Sequence, residues 1–306
     1  MSACLIGNFC IDLIIRGVPH MPAWGQEVAG NDYMLVSSGQ TTYTAFALRA
    51  LGAPVSVIGC VGEDAWGAQI RGDLEARGVD TKGLETVAGG RTALSVAAVR
   101  PDGERAFVSD FACLNTADES VIERGWALIE RAELVCLLGV FSWPGLSLPR
   151  CAQLFRRARR AGKATMLDTG WDPGGWGPAT RAGLAALLAE TTIFIPNQEE
   201  ARAITGSDDT EEAARRLAAL GPELVVVKLG GRGSLALSDR RVFRQEAVPV
   251  EVVDTVGAGD VFNAGFLHAR QSGEPLQGCM RFGAATAALY IGRRRDRFPS
   301  SEEVRA

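Results

Sequence analysis

The stretch DTVGAGD, Asp254 to Asp260, sets two carboxylates around three small residues and runs directly into VFNAGFLHA, which has helical spacing. Gly257, Ala258 and Gly259 leave backbone N–H groups bare where a helix should begin, near Gly259–Asp260. The first N–H groups of a helix lack intrahelical partners, and its dipole favours negative charge there. Such a turn lets a phosphate approach the backbone closely. Asp260, in the first turn, is placed to accept a proton from a hydroxyl aimed at that phosphate, and general-base help of this kind is worth about 10²–10⁴-fold in rate. An Asp after glycines is also ordinary helix capping, so the motif alone leaves both readings open. Two common nucleotide devices are missing: GxxxxGK[ST] occurs nowhere, and the first strand is followed by GNFCID instead of GxGxxG.

The elements that must position this turn alternate between strand and helix. ACLIGNF, PVSVIGCVG, LVCLLGVF, KATMLDTG, TIFIPN and LVVVKLG are short apolar runs. Such runs suit strands buried on both faces of a mostly parallel sheet covered by helices. VEVVDT, just before the glycine turn, also reads as a strand. GQTTYTAFALRALG reads as a helix closed by Gly52. Asp64 reads as the N-cap of another helix, and LPRCAQLFRRARRAG as a third with arginines on its outer face. Two stretches break the rhythm: about 11–37, without helical pattern, and about 90–112, where TALSVAAVR and RAFVSD flank a Pro-Asp-Gly turn. Together they predict a small antiparallel lid on a single α/β domain over 1–306. No linker or repeat divides the chain.

Composition narrows the class further. With 47% hydrophobic and 22% charged residues and a net charge of −4, the chain fits a soluble globular protein. No basic stretch is interleaved with aromatics, which argues against nucleic acid; the run Arg293–Arg295 reads as a solvated helix end. Seven scattered cysteines and two distant histidines argue for reduced thiols in the cytoplasm and against a disulfide frame or a His-rich metal site. No signal peptide or membrane span is visible.

DTVGAGDVFNAGF resembles the C-terminal signature of the PfkB (ribokinase-like) carbohydrate kinase family, DTxGAGDxF. LIGNFCID, GCVGEDAWG, FIPNQEEARAITG and VVVKLGGRG resemble further family segments, in order, over about residues 5–290. The resemblance implies a ribokinase-like fold, a mostly parallel sheet flanked by helices with a β lid, and an ATP-dependent sugar kinase. It implies Asp260 as the base and the Val256–Asp260 amides, including those of Gly257, Ala258 and Gly259, as an anion hole. Asn197 and Glu200 match the NxxE motif that organises Mg²⁺, although Asn197 also suits a helix N-cap. Lys228, Gly230, Gly233 and Thr255 fall on the nucleotide side; Lys228 either contacts a phosphate or only extends from a strand end. Family members often place a monovalent cation such as K⁺ near the position of Asp254, which could equally cap the strand. Asp12 matches a residue that binds sugar hydroxyls. Asp168 ends a strand facing the same site, in a pattern where Gly170 replaces the family's Asn. Many relatives dimerise through the lid.

The acceptor motif departs from the family's GGxxxNxA. SGQTTYTA keeps Gly39, but Ser38 replaces the first glycine and Tyr43 the asparagine. Leaving buried polar groups unpaired costs about 1–3 kcal/mol each, so ribose is disfavoured as the acceptor. Trp24, Tyr33, Gln40, Thr42, Tyr43 and Arg91 are candidates for a different pocket, and an Arg91–Tyr43 pair would suit a carboxylate or phosphate. Three readings follow: a kinase of a small sugar or sugar acid; a nucleoside kinase with Trp24 or Tyr33 as its aromatic slot; and a non-catalytic sensor, against which the intact Asp260 and NxxE pair argue.

Overall fold

The computed structural model describes residues 2–293 and 297–306, so Arg294 and Arg295 of the basic run lie outside the described residues. A nine-stranded sheet forms the centre. Its parallel part runs, in spatial order, through Leu224–Lys228, Ile193–Phe194, Ala164–Asp168, Leu134–Leu138, Ala3–Gly7, Val55–Gly62 and Asp80–Val87. Ser234–Ser238 and Arg241–Gln245 extend one edge antiparallel.

The alternation of side chains along a strand explains why these segments read as continuous apolar runs. Leu224 and Val226 pack into one core with the helices Gln40–Ala50, Ala258–Gln271 and Leu276–Ile291. Val225 and Val227 pack into the other, with Leu148–Arg160, Pro178–Leu188 and Thr210–Ala218. Burying each Val or Leu side chain contributes about 1.5–3 kcal/mol, so a strand covered by helices on both faces has no polar position to alternate with. All seven cysteines are buried as free thiols.

Register aligns the strand ends. Gly7 pairs with Leu138 and Leu138 with Asp168, while Asn197 bridges to Lys228. Asp168 and Lys228 therefore end their strands at the carboxyl edge, where α/β sheets bind ligands. Asp64 caps the helix Ala65–Ala76 as expected, accepting from Gly67 N–H at 2.8 Å.

The lid is a four-stranded sheet, Asp32–Ser38, Cys10–Arg16, Ala93–Val99 and Arg105–Asp110 in spatial order. Its two outer pairs are antiparallel and its central pair runs parallel, because the chain visits the main sheet between them. The Pro-Asp-Gly turn closes the expected hairpin, with Arg100 N–H donating to the Glu104 carbonyl at 2.8 Å.

One expected strand is absent. VEVVDT forms no ladder, and Val252 and Val253 are exposed. The amides of Val253 and Asp254 donate instead to the Ile291 carbonyl at the end of a helix, at 2.8 and 3.2 Å. The β-branched run lies beside that helix end, so its propensity has no neighbouring strand to act on.

Candidate active site

Asp168 is the hub of the carboxyl edge. It is 1% exposed, and its Oδ2 accepts from Lys228 Nζ at 2.5 Å and from Asn263 Nδ2 at 2.6 Å. Gln40 Nε2 donates to Oδ1 at 3.2 Å. Four separate elements thus converge on one carboxylate. Asn263 lies three residues beyond Asp260 on the same helix, hence on the same face. The sequence reading missed Asn263; that spacing is the signal that could have found it.

Asp260 lies buried beside this hub. Burial first, then repulsion from Asp168, pushes its carboxyl well above the usual carboxylate range, while Lys228 and a hydrogen bond from Gln40 pull it back. Burial alone would lower Lys228, but Asp168, Glu200 and Asp260 outweigh that and hold it raised. One lysine shared among three buried carboxylates leaves Asp260 with a raised proton affinity, as groups that move protons often have.

Gly257 is the N-cap of the helix Ala258–Gln271, in the left-handed region at φ 80°, which favours glycine. The expected anion hole narrows here. Val256 N–H donates to Asp254 Oδ1 at 2.9 Å, and Ala258 N–H to the Thr255 carbonyl at 3.2 Å. The N–H groups of Gly257, Gly259 and Asp260 have no protein acceptor among the described residues and are the donors left for an anion. A Cβ on Gly259 would stand 3.4 Å from Lys228 Nζ, so the lysine reaches the same turn.

The NxxE pair is a reciprocal capping box. Asn197 accepts from Glu200 N–H, and Asn197 N and Nδ2 donate to Glu200 Oε2 and Oε1, each at 2.8 Å. Glu200 is 3% exposed, and burial, then Asp168, pushes it up to about 7. Both its oxygens are engaged, so it suits a cation held through water better than direct ligation. The donor set is oxygen and amide only, which fits Mg²⁺ arriving on phosphates with several of its waters. Gly230 opens onto free space in the turn Gly230–Arg232 at the end of Leu224–Lys228. At Gly233 a Cβ would fall 1.9 Å from the Gln245 carbonyl, so the closing of the edge hairpin already demands glycine there.

On the acceptor side, Asp12 is buried on the lid strand Cys10–Arg16 and accepts from Ser38 Oγ at 2.6 Å. The serine that departs from the family pattern thus holds the carboxylate. Gly39 packs so that a Cβ would meet the Asn8 carbonyl at 2.5 Å. Gln40 Oε1 fills the space beside Gly139 and Gly170, where added Cβ atoms would come within 2.5 and 2.6 Å of it. Gly170 is therefore the counterpart of Gln40.

Other candidates are placed elsewhere. Tyr43 is buried behind the loop, its ring near Gly257, Tyr290 and Phe298. Arg91, with a side chain 78% exposed, pairs with Asp110 at 2.9 Å. The expected Arg91–Tyr43 anion pair therefore does not form, because helix packing claims the tyrosine and the lid rim the arginine. Thr42 is buried in its helix. Tyr33 shares the outer lid face with Leu13, Ile15 and Leu35, and Trp24 is fully exposed, so neither provides an aromatic slot. Asp254 is engaged by Arg16 Nη2 at 2.6 Å as well as by Val256 N–H, and Thr255 accepts from Arg105 Nη1 at 2.6 Å. Among the described residues, no cluster of His, Cys, Asp and Glu could hold a metal unaided, and no helix is long and apolar enough to cross a membrane.

The bare amides at a helix start and the acid beside them, at the edge of a lidded parallel sheet, place the protein among the phosphoryl-transfer enzymes. Residues 2–303 match the pfkB family carbohydrate kinase, and the chain belongs to that family. It is 27% identical to the ribokinase of Haemophilus influenzae, over 94% of this chain and 91% of that one. It is 34% identical to an uncharacterized sugar kinase of Archaeoglobus fulgidus, over 80% of this chain and 94% of the other. Its fold matches a putative ribokinase II of E. coli in complex with ATP and Mg²⁺ at TM-score 0.85 and 23% identity, covering 99% and 97% of the two chains. The protein is a carbohydrate kinase with the ribokinase-like architecture.

Proposed function

We propose that the protein transfers a phosphoryl group from Mg·ATP to a hydroxyl of a small sugar or sugar acid, with Asp260 as general base. The observation that carries this reading is the meeting of a buried, proton-avid Asp260 with three N–H groups that have no acceptor among the described residues, at one helix start. Asp260 takes the acceptor's proton as its oxygen attacks. The amides of Gly257, Gly259 and Asp260, with Lys228, steady the charge on the transferred group. Mg²⁺, when bound, neutralises phosphate charge; Asn197 and Glu200 would orient its waters. Asp12, held by Ser38, orients acceptor hydroxyls, and the lid keeps water out. Gly230 would lie against the nucleotide.

A sugar is favoured over a nucleoside because Tyr33 faces away from the cleft and Trp24 stands in solvent. A monovalent cation such as K⁺ near Asp254 belongs to the same reading, alongside the Arg16 guanidinium already there. Omitting K⁺ is accordingly a separate arm of the assay. The reading places the reaction in the cytoplasm, where ATP and reduced thiols are both maintained. It also makes the protein a homodimer. Leu13, Ile15, Tyr33, Leu35, Val96 and Val108 share the outer lid face, an apolar sheet surface that a second copy would cover.

The test is ADP release from Mg·ATP against sugars, sugar acids, sugar phosphates and nucleosides. Asp260→Asn should keep ATP affinity by calorimetry and lose about 10²–10⁴-fold in kcat. Full turnover by that variant removes the base, and turnover of nucleosides alone replaces the acceptor class.

A further inference from the structure

Two arginines of the lid reach across to consecutive residues at the mouth of the anion loop. Arg16 Nη2 lies 2.6 Å from Asp254 Oδ2, and Arg105 Nη1 donates to Thr255 Oγ1 at 2.6 Å. These contacts are separated by 238 and 150 residues in sequence. Strand pairing sets Asp32, Arg16, Val99 and Arg105 in one row across the lid, on the face turned to the cleft. Asp32 holds Arg16 from within that row, at 3.0 Å. The Asp254 side chain is 3% exposed and that of Arg16 28%, so the pair is well shielded from solvent.

Asp254 faces both ways. One oxygen meets the lid guanidinium; the other clamps Val256 N–H. That clamp occupies the first amide of the loop, and the N–H groups of Gly257, Gly259 and Asp260 are the ones beyond it with no acceptor among the described residues. Asp12 lies on the same strand as Arg16, four residues earlier and on the same face.

We propose that Arg16, seconded by Arg105, is a positioning residue that makes the anion-binding geometry of Gly257–Asp260 depend on the lid being down. A lid held by an acceptor at Asp12 carries Arg16 onto Asp254, and Asp254 then fixes the loop. The lid samples open and closed arrangements; opening withdraws both arginines and leaves the loop free to relax, and an acceptor at Asp12 shifts the balance toward the closed one, which disfavours phosphoryl transfer to water. The coupling is energetic and passes chiefly through the Asp254 carboxylate, which both sides touch, with Arg105–Thr255 as a parallel contact. Its role in catalysis rests on the phosphoryl-transfer reading; the mechanical coupling does not.

Amide hydrogen exchange of the peptide spanning 254–260 tests the coupling without any acceptor. The proteins compared are the wild type, Arg16→Gln, Asp254→Asn, the double variant and Arg100→Gln. Arg100 pairs with Asp102 in the lid turn and serves as the control. Arg16→Gln should speed exchange of the loop about tenfold and Arg100→Gln should not. In the Asp254→Asn background Arg16→Gln should add nothing. Unchanged exchange in Arg16→Gln, or effects that multiply in the double variant, would overturn the proposal. Thr255→Val, which keeps shape and removes the acceptor of Arg105, gives a second arm should Arg16→Gln not fold; no change in its exchange counts against the latch. With an acceptor in hand, Arg16→Gln should lower kcat about tenfold or more while KM for ATP stays within about twofold. A rise in KM for ATP with kcat intact would assign Arg16 to binding instead. If no acceptor is turned over by the wild type, the kinase reading fails and the exchange data still decide the latch.

Discussion

Lys228 is the cation that Asp168, Glu200 and Asp260 share, and Lys228→Met isolates what that sharing does. Methionine keeps most of the aliphatic length and removes the charge. An opposite charge a few ångströms away lowers a carboxylate pKa by about 1–3 units, and Lys228 is among the groups holding Asp260 down. Its loss should therefore move the acidic limb of kcat against pH upward by about 1–2 units. The base works only when deprotonated, so activity on the acidic limb should fall about 10–100-fold at a given pH and recover in part at higher pH. Stability should fall too. Asp168 would stay buried with Asn263, Gln40 and the Gly170 N–H as partners but no cation, and breaking a buried ion pair costs about 3–5 kcal/mol. The assay is coupled ADP release over about pH 6 to pH 9 at saturating Mg·ATP, with folding checked by thermal melts. A limb that stays in place while KM for ATP rises would refute the tuning of Asp260 and leave Lys228 only its contact with the phosphates.

Two further expectations follow from packing. Gly170→Asn restores the residue found in the resembling pattern but sets a Cβ 2.6 Å from Gln40 Oε1. It should displace Gln40, lower kcat and cost about 1–3 kcal/mol in a denaturant melt, whereas Gln40→Ala combined with it should recover stability; equal stability of Gly170→Asn and wild type would show that Gln40 moves freely. Leu35→Lys on the outer lid face should turn a dimer into a monomer by sedimentation velocity, and a wild type that sediments as a monomer at micromolar concentration removes the dimer.

Much of the fold was legible because its strands are buried twice. LVVV, before Lys228, and LVCLL carry no polar position, and that pattern belongs to few architectures. The glycine turn was legible because a bare helix start needs small residues. VEVVDT misled because β-branched residues predict a strand only where another strand lies beside them, and here a helix end does. Asp168, Asn263 and Gln40 come together through tertiary register, across as many as 223 positions between Gln40 and Asn263, which no local spacing reports. The same blindness placed Tyr43 and Arg91 in one pocket. Each is a plausible ligand by type, but only the packing of the first and the pairing of the second decide where they point.

The fit of Gln40 against Gly139 and Gly170 has a consequence for how this acceptor site could ever change. With Gln40 in place, any side chain at either glycine collides with its amide oxygen. With a small residue at position 40, Gly170 becomes free to vary, since its left-handed backbone, at φ 67°, tolerates Asn or Asp best after glycine, whereas a Cβ at Gly139 still meets Asn8 Oδ1 at 2.5 Å. Positions 40 and 170 thus have a favoured order of substitution, in which position 40 moves first, and position 139 waits on Asn8 as well. A library that randomises 170 alone would return mainly destabilised variants, and one that starts from a trimmed position 40 would open the site at 170 to new shapes.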